Sequence, residues 1–321
     1  MTRLLLVDLL GCAFTNFHAK DNHLVSSFIK NIRDITAKFK FDAILLLKEG
    51  GSPYRSGLLP SYKAKRKERR EKYTEAEKAD YQKLLKQVTE ISDTLELLGV
   101  KSLRHIGAEA DDLAGYLCAA LPPEEYQICL LSEDSDWTSL LVRKNTVQGS
   151  YKAMSKAIDS LDSGFWLSYN SYTKVKGMTP IQAYEAKLLC GDTSDSIPGI
   201  DGLGATGAEN LIKHYGSLQE VLNNRHNIVV KRITAKAKEG LLNAEPILDM
   251  GHKLMNLRWT VEEWKEILGD VEQSVCDLAG TAPQNIEAFK ELCYERGWLA
   301  FVDEDFLEPF LEKFCLNENN Y

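Results

Sequence analysis

Leu4 to Val7 form an apolar run that stops at Asp8 and reads as a first strand. Between residues 22 and 39, Leu24, Phe28, Ile32, Ile35 and Phe39 recur at helical spacing, and Ala43 to Leu47 then reads as a second strand. Strand, helix, strand in this order predicts a βαβ unit. A further helical stripe of Leu84, Val88, Ile91, Leu95 and Leu98 closes at Gly99, and a third strand is expected near Val100 to Ile106. A helix over Asp112 to Leu121 puts Leu113, Tyr116, Leu117 and Ala120 on one side and stops at Pro122-Pro123; Tyr126 to Leu131 is then another buried strand. The alternation predicts an α/β fold, a central and mainly parallel sheet flanked by helices. Beyond about residue 175 the pattern is helical, broken by glycines between Gly191 and Gly207, which predicts a C-terminal helical unit.

A chain of 321 residues that is 44% hydrophobic can bury one large core, or one core and a smaller appended unit. No apolar run approaches the roughly 20 residues that cross a bilayer, and the N-terminal run is too short for a secretory signal. No membrane association and a cytoplasmic location are therefore expected. The seven cysteines (Cys12, Cys118, Cys129, Cys190, Cys276, Cys293 and Cys315) show no zinc or redox spacing and read as buried thiols. The six histidines are equally dispersed, so any metal site must be built from oxygen ligands. A net charge of −8 argues against a surface that coats nucleic acid indiscriminately. One segment departs from that balance: Arg55, Lys63, Lys65, Arg66, Lys67, Arg69, Arg70 and Lys72 face only Glu68 and Glu71.

The acids gain meaning from where they fall. Asp8 ends the first strand, Asp134 and Asp136 follow the strand ending at Leu131, and Glu109, Asp111 and Asp112 sit where a strand hands over to a helix. Ligands of an open parallel sheet bind beyond the carboxyl ends of its strands, so these separate positions converge on one crevice. Two carboxylates about 4 Å apart repel by roughly 4 kcal/mol at an effective dielectric of about 20, so the group must protonate or hold cations. Oxygen donors alone favour magnesium or manganese, which keep water and bridge phosphate oxygens.

Each segment alone has a plainer explanation. Glu109-Ala110-Asp111-Asp112 is also the acid-rich first turn of a helix. Ser132 to Asp136 and Gly191 to Asp195 are also ordinary polar turns, and a charge run is usually a solvated face. Two details favour a nucleic-acid track. Tyr54, Tyr62 and Tyr73 are interleaved with the cations, as base stacking beside phosphate neutralisation requires, and the segment leaves the sheet at the same edge as the acids. The glycines from Gly199 to Gly207, including Gly202 and Gly204, precede a helix and allow backbone amides to approach a phosphate.

These residues resemble the 5′ nuclease family, which includes bacteriophage flap endonucleases and the N-terminal nuclease domain of bacterial DNA polymerase I. The matching blocks are Leu6-Val7-Asp8, Tyr54-Arg55 with Leu59 to Arg66, Glu109 to Asp112, Ser132 to Trp137, and Gly191 to Gly199, in family order over roughly residues 1 to 225. The resemblance implies a PIN-like α/β nuclease domain over 1–190 with a basic helical arch at about 50–80. It implies a helical DNA-binding domain over 191–321 with a helix-hairpin-helix type element at about 191–225.

It implies a metal cluster of Asp8, Glu109, Asp111, Asp112, Asp134, Asp136, Asp192 and Asp195 sharing two Mg2+ or Mn2+ ions, with K+ at the hairpin element. Lys63 and Arg66 would face the scissile phosphate as catalytic residues, and Arg55, Tyr62, Lys65, Gly202 and Gly204 would contact DNA. The implied activity is exonuclease or flap endonuclease hydrolysis of branched DNA, or DNA with a free 5′ end, in replication or repair. The implied setting is a monomer in a bacterial or phage-infected cell, with a replicative polymerase or single-strand binding protein as partner.

The sequence departs from the family pattern in places. Where an aspartate is usual after the second strand, the chain reads Leu47-Lys48-Glu49-Gly50, so either Glu49 supplies the carboxylate or Lys48 has replaced it. Leu9 stands for a usual glycine, Thr15 for a basic residue, and Thr206-Gly207 for a pair that usually includes lysine. Two rivals follow: a branched-DNA binding protein without catalysis, and a ribonuclease built on a similar acid cluster.

Overall fold

The computed structural model describes residues 1–17, 23–156, 163–276, 280–281, 283–311 and 315–316. The chain opens with β1 (Thr2–Asp8), α1 (Leu9–Asn16), α2 (Leu24–Phe39) and β2 (Ala43–Lys48). α3 (Pro53–Leu58), α4 (Ala64–Glu71) and the long α5 (Glu75–Glu96) lead to β3 (Lys101–Arg104), α6 (Ala110–Ala120) and β4 (Tyr126–Leu131). A 3-10 segment, Ser135–Val142, precedes β5 (Thr146–Gly149) and α7 (Tyr151–Lys156). The five strands form one parallel sheet in the order β3-β2-β1-β4-β5. Residue 22, where the first helix was expected to begin, lies outside the described residues.

β1 shows why the sheet is covered on both faces. Its side chains alternate with period two, so Leu5 and Val7 join the core under α1, α2 and α5, while Leu4 and Leu6 join the core under α6 and the 3-10 segment. Both rows are fully buried, the composition expected of a parallel strand. Strand β5 has no apolar run to announce it, since Thr146-Val147-Gln148-Gly149 is held by pairing with Ile128 to Leu131.

The second half comprises α8 (Tyr169–Lys176), α9 (Pro180–Cys190), α10 (Ala205–Tyr215), α11 (Leu218–Asn223), α12 (Ala235–Leu242) and α13 (Glu245–Met255). After it come α14 (Val261–Leu268), α15 (Val271–Cys276), β6 (Gly280–Thr281), α16 (Ile286–Arg296), α17 (Glu304–Leu311) and β7 (Cys315–Leu316), with β6 and β7 antiparallel. A third core, from Met178 to Met255, belongs to the helices alone.

Residues beyond it return to the sheet. Leu257, Trp264, Leu268, Val271 and Val275 pack with α6, and Phe289, Cys293, Phe306, Leu307 and Phe310 pack with α2 and α5. The packing therefore does not divide at 190/191: the separate helical core spans about 178–255, and the C-terminal helices brace the sheet. Gly99 shows the fit, because its φ of +85° suits glycine and an added Cβ would stand 2.9 Å from Gln284 Cγ. Cys12, Cys118, Cys129 and Cys293 are buried and Cys190 half-buried, all as free thiols; the side chains of Cys276 and Cys315 lie outside the described set.

Candidate active site and metal centre

β1 delivers Asp8 to the carboxyl edge of the sheet, where it caps α1. Its Oδ1 accepts from the Gly11 amide at 2.9 Å and its Oδ2 from Ser132 Oγ at 3.0 Å. A Cβ on Gly11 would lie 2.1 Å from Asp8 Oδ2, so only glycine leaves room for the carboxylate. Burial raises the Asp8 carboxyl above its usual range against those two hydrogen bonds.

Lys48 turns to Glu96 of α5, 3.8 Å away, and Glu49 lines the acidic cleft. Dense surroundings and then the charge of Glu109 push the Glu49 carboxyl up to about 7, although its edge stays open to solvent.

α6 separates three neighbouring acids, because consecutive helical residues point about 100° apart. Asp111 faces the cleft and accepts from Trp137 Nε1 at 2.5 Å. Burial, then Asp134 and Asp8, drive its carboxyl well above the ordinary value. Asp112 faces the other way, and its carboxylate receives Arg55 Nη2 at 2.6 Å and Nη1 at 2.9 Å. Glu109 is held by Lys63 Nζ at 2.6 Å, the Tyr62 hydroxyl at 2.8 Å and Arg55 Nη1 at 3.1 Å. Burial opposes its charge, but Lys63 and Arg55 outweigh burial and keep the carboxyl below its usual range.

After β4, Asp134 caps the 3-10 segment by accepting from the Asp136 amide at 2.8 Å. Burial and the neighbouring Asp136 charge raise its carboxyl to about 6. Asp192 and Asp195 come from a tight loop after α9, closed by paired backbone hydrogen bonds between Asp192 and Ile197 at 3.0 and 2.8 Å. Lys187 of α9 bridges Asp136 and Asp192, the latter at 2.7 Å, while Arg66 pairs with Asp195 and Lys63 stands 4.0 Å from it.

Asp8, Glu49, Asp111, Asp134 and Asp195 thus share one cleft of about 600 Å³, roofed by Lys63, Lys65, Arg66, Arg69 and Arg70. The roof is α4, none of whose residues is buried, and Arg70 lies over the Tyr81 ring at 5.1 Å. Asp136 and Asp192 line an adjoining cavity of about 470 Å³. Among the described residues no group of three or more His, Cys, Asp or Glu side chains is set to hold an ion by itself. The donors still suit a hard, hydrated cation, which uses one or two carboxylates and keeps water on its other positions. Four carboxyls raised or crowded in one cleft are what such a charge would relieve.

Several expected roles are corrected by this geometry. Arg55 is 6% exposed and spent on Asp112, Glu109 and the Leu254 carbonyl at 2.7 Å, so it joins α3, α6 and α13 and cannot meet DNA. Asp112 is its counter-ion and does not reach the cleft, and Glu109 anchors the root of α4. Tyr62 gives its hydroxyl to Glu109 and packs its ring on the helical core. Lys65 and Arg66 remain exposed.

Gly202 adopts φ +77° beside Thr234, which caps α12, and Gly204 caps α10 with open space around it. Lys187, Glu133 and Phe14 were not singled out from the sequence. Glu133 receives Ser150 Oγ at 2.8 Å and the Lys152 amide at 2.6 Å at the cleft rim, and Phe14 is 60% exposed there. The only hint of Lys187 was a lysine on the last turn of the helix that leads to Asp192.

An α/β fold whose parallel sheet carries acids at its carboxyl edge, beneath a cationic helix, defines a cleft for hard cations and phosphates. The pattern of the 5′-3′ exonuclease N-terminal, resolvase-like domain matches residues 3–163, and that of the 5′-3′ exonuclease C-terminal SAM fold matches residues 178–275. The chain belongs to the 5′-3′ exonuclease family. It is 27% identical over 279 residues to a 5′-3′ exonuclease of Bacillus subtilis, covering 81% of this chain and 84% of that protein.

It is also 28% identical over 199 residues to DNA polymerase I of Synechocystis, covering 61% of this chain but only 19% of the polymerase. The chain thus spans about a fifth of the length of that relative. Among solved structures, the bacteriophage T5 5′-exonuclease with bound zinc superposes with a TM-score of 0.71 at 23% identity, over 86% of this chain and 98% of the other. The T5 flap endonuclease in complex with DNA and metal ions gives 0.71 at 22% identity, over 86% and 97%. At these identities the superpositions establish a shared fold.

Proposed function

We infer that the chain is a metal-dependent 5′ nuclease that hydrolyses phosphodiester bonds at 5′ flaps or 5′ ends of branched or duplex DNA, in replication or repair. One observation carries the reading: Asp8, Glu49, Asp111, Asp134 and Asp195 floor the cleft that Lys63, Arg66 and Arg70 roof. Asp8, Glu49, Asp111 and Asp134 would hold one Mg2+ or Mn2+ ion, and Asp136, Asp192 and Asp195 a second. Bound there, the pair would supply a water of lowered pKa and Lewis acidity at the leaving oxygen.

The chain's own residues do the rest. Lys63 and Arg66 place positive charge where the phosphate gains negative charge, a contribution often worth about 3 kcal/mol. α4 and its flanks act as a helical arch that admits a single strand, Tyr73 and Tyr81 offering stacking faces beside the cations. The helices over 178–255 grip duplex DNA, with the turn at Gly202 and Gly204 as the helix-hairpin-helix type element and a K+ site there. The sheet domain, read as PIN-like, carries the chemistry.

A replicative polymerase or single-strand binding protein is the expected protein partner, and the chain acts as a monomer. A binding protein without catalysis loses its main support, since Lys48 turns to Glu96 and leaves the acids unblocked. A ribonuclease on a similar acid cluster is separated by substrate: it would cut single-stranded RNA in preference to the flap. An end-labelled 5′-flap substrate tests the reading: it is cut in Mg2+, intact in EDTA, and intact with Asp134→Asn. Binding in EDTA without cleavage in Mg2+ contradicts it.

A further inference from the structure

Two halves of the acidic region differ in one respect. Among the described residues, no lysine or arginine forms an ion pair within 4 Å with Asp8, Glu49, Asp111 or Asp134, which line the main cleft. Asp136 and Asp192 share the Lys187 ammonium instead. The Lys187 side chain is only about a quarter exposed, and Asp192 is further fixed by the Ser194 amide at 2.8 Å, Ser194 Oγ at 2.7 Å and the Asp195 amide at 3.2 Å. The pair is preorganised around a cation, and the cation present is a side chain.

We propose that Lys187 is a built-in stand-in for the second divalent ion, holding Asp136 and Asp192 together until that ion displaces it. The proposal rests on the metal-dependent reading above and adds to it an order of events. An ion held by Asp136 and Asp192 would compete with Nζ for Oδ1 of Asp136 and Oδ2 of Asp192, the oxygens that the ammonium contacts, and two positive charges at one carboxylate pair repel. The adjoining cavity of about 470 Å³, lined by Tyr172, Lys176 and Glu209 as well as Lys187, gives the displaced ammonium somewhere to go.

Competition has two consequences. Without ions, Lys187 prevents Asp136 and Asp192 from repelling each other. With ions, it lowers second-site affinity in the DNA-free protein, so that site fills when an arriving phosphate adds ligands and negative charge. Lys187 is thus a positioning residue, acting through the two aspartates.

The test needs no substrate. Free Mn2+ is counted by electron paramagnetic resonance during titration of the DNA-free wild type, Lys187→Met and Lys187→Arg. Wild type is expected to bind one ion tightly and one weakly. In Lys187→Met the weak class should tighten roughly five- to tenfold while the tight class stays put, and Lys187→Arg should behave like wild type. Equal weak-class affinity in wild type and Lys187→Met overturns the proposal. No Mn2+ binding by any of the three proteins overturns the metal-dependent reading itself.

Wild-type protein gives a second readout that does not depend on a variant folding. Lys187, located by mass spectrometry after acetic anhydride treatment, should be protected without Mg2+ and acetylated several-fold faster with it. Unchanged reactivity overturns displacement.

Discussion

The deep floor of the cleft and its outer rim use the same residue type under opposite electrostatic regimes. At the floor, Asp8 is buried and Asp111 and Asp134 half-buried, no lysine or arginine among the described residues pairs with them, and their carboxyls rise above the usual range. At the rim, Asp192 is held below that range: burial opposes its charge, but Lys187 and the Ser194 hydroxyl outweigh burial. Glu109 and Asp112, locked to the buried Arg55, are finished ion pairs, Asp136 and Asp192 hold a side-chain ammonium at the rim, and the acids of the floor are an unmet demand for positive charge.

Removing a carboxylate from the floor should have the largest effect. Asp134→Asn should slow single-turnover flap cleavage by about a thousandfold or more while leaving flap affinity in EDTA near wild type, because ion-borne stabilisation is worth several kcal/mol. Cleavage within tenfold of wild type would erase the contrast.

Arg55 tests the finished pairs. Arg55→Ala strands Glu109 and Asp112 and should cost about 3–5 kcal/mol in urea unfolding, as broken buried pairs do. A variant of normal stability with impaired DNA binding would restore Arg55 as a DNA contact.

Lys48 and Glu49 sharpen the comparison. Glu49→Gln should weaken Mn2+ binding by about 10- to 100-fold if it is a ligand or its immediate support. Lys48→Ala should change stability by less than about 1 kcal/mol, since its partner Glu96 is half exposed, and leave ion binding unchanged. The reverse ranking would mean that Lys48 had taken over the site.

The smallest effect is a pH trend. The Asp134 carboxyl rises from 3.8 to about 6 and that of Glu49 from 4.5 to about 7. Between those values the folded chain keeps protons that the unfolded chain has released, so stability falls as pH rises through about 4 to 7. The lowered carboxyls of Glu109 and Asp192 act below this window, where stability falls as pH drops. In EDTA the melting temperature should fall by a few degrees from pH 4.5 to 7.5, and Mg2+ should remove most of the fall. A melting temperature that climbs over that range in EDTA would contradict uncompensated acids at the floor.

Much of the fold was legible because apolar runs and helical stripes are local signals. Asp8 and Asp134 could be placed in one crevice since strand ends in a parallel sheet point to a common edge. Orientation was not legible: Asp111 and Asp112 are adjacent letters, yet one faces the cleft and the other Arg55, which only the helix rotation decides.

Arg55 sat among solvent-facing cations in the sequence, and its burial depends on α6 and the Leu254 carbonyl, 199 residues away. Lys187 was silent because a single lysine on a helix is usually solvated. The return of Phe289, Phe306 and Phe310 to the sheet was equally hidden, since an apolar stripe does not name the surface it covers.

The most direct measurement of the central claim is an anomalous difference map from crystals soaked in Mn2+. The account predicts a peak about 2.0–2.3 Å from carboxylate oxygens among Asp8, Glu49, Asp111 and Asp134, and a weaker one displacing Lys187 between Asp136 and Asp192. A map at saturating Mn2+ with no peak in the cleft would contradict it.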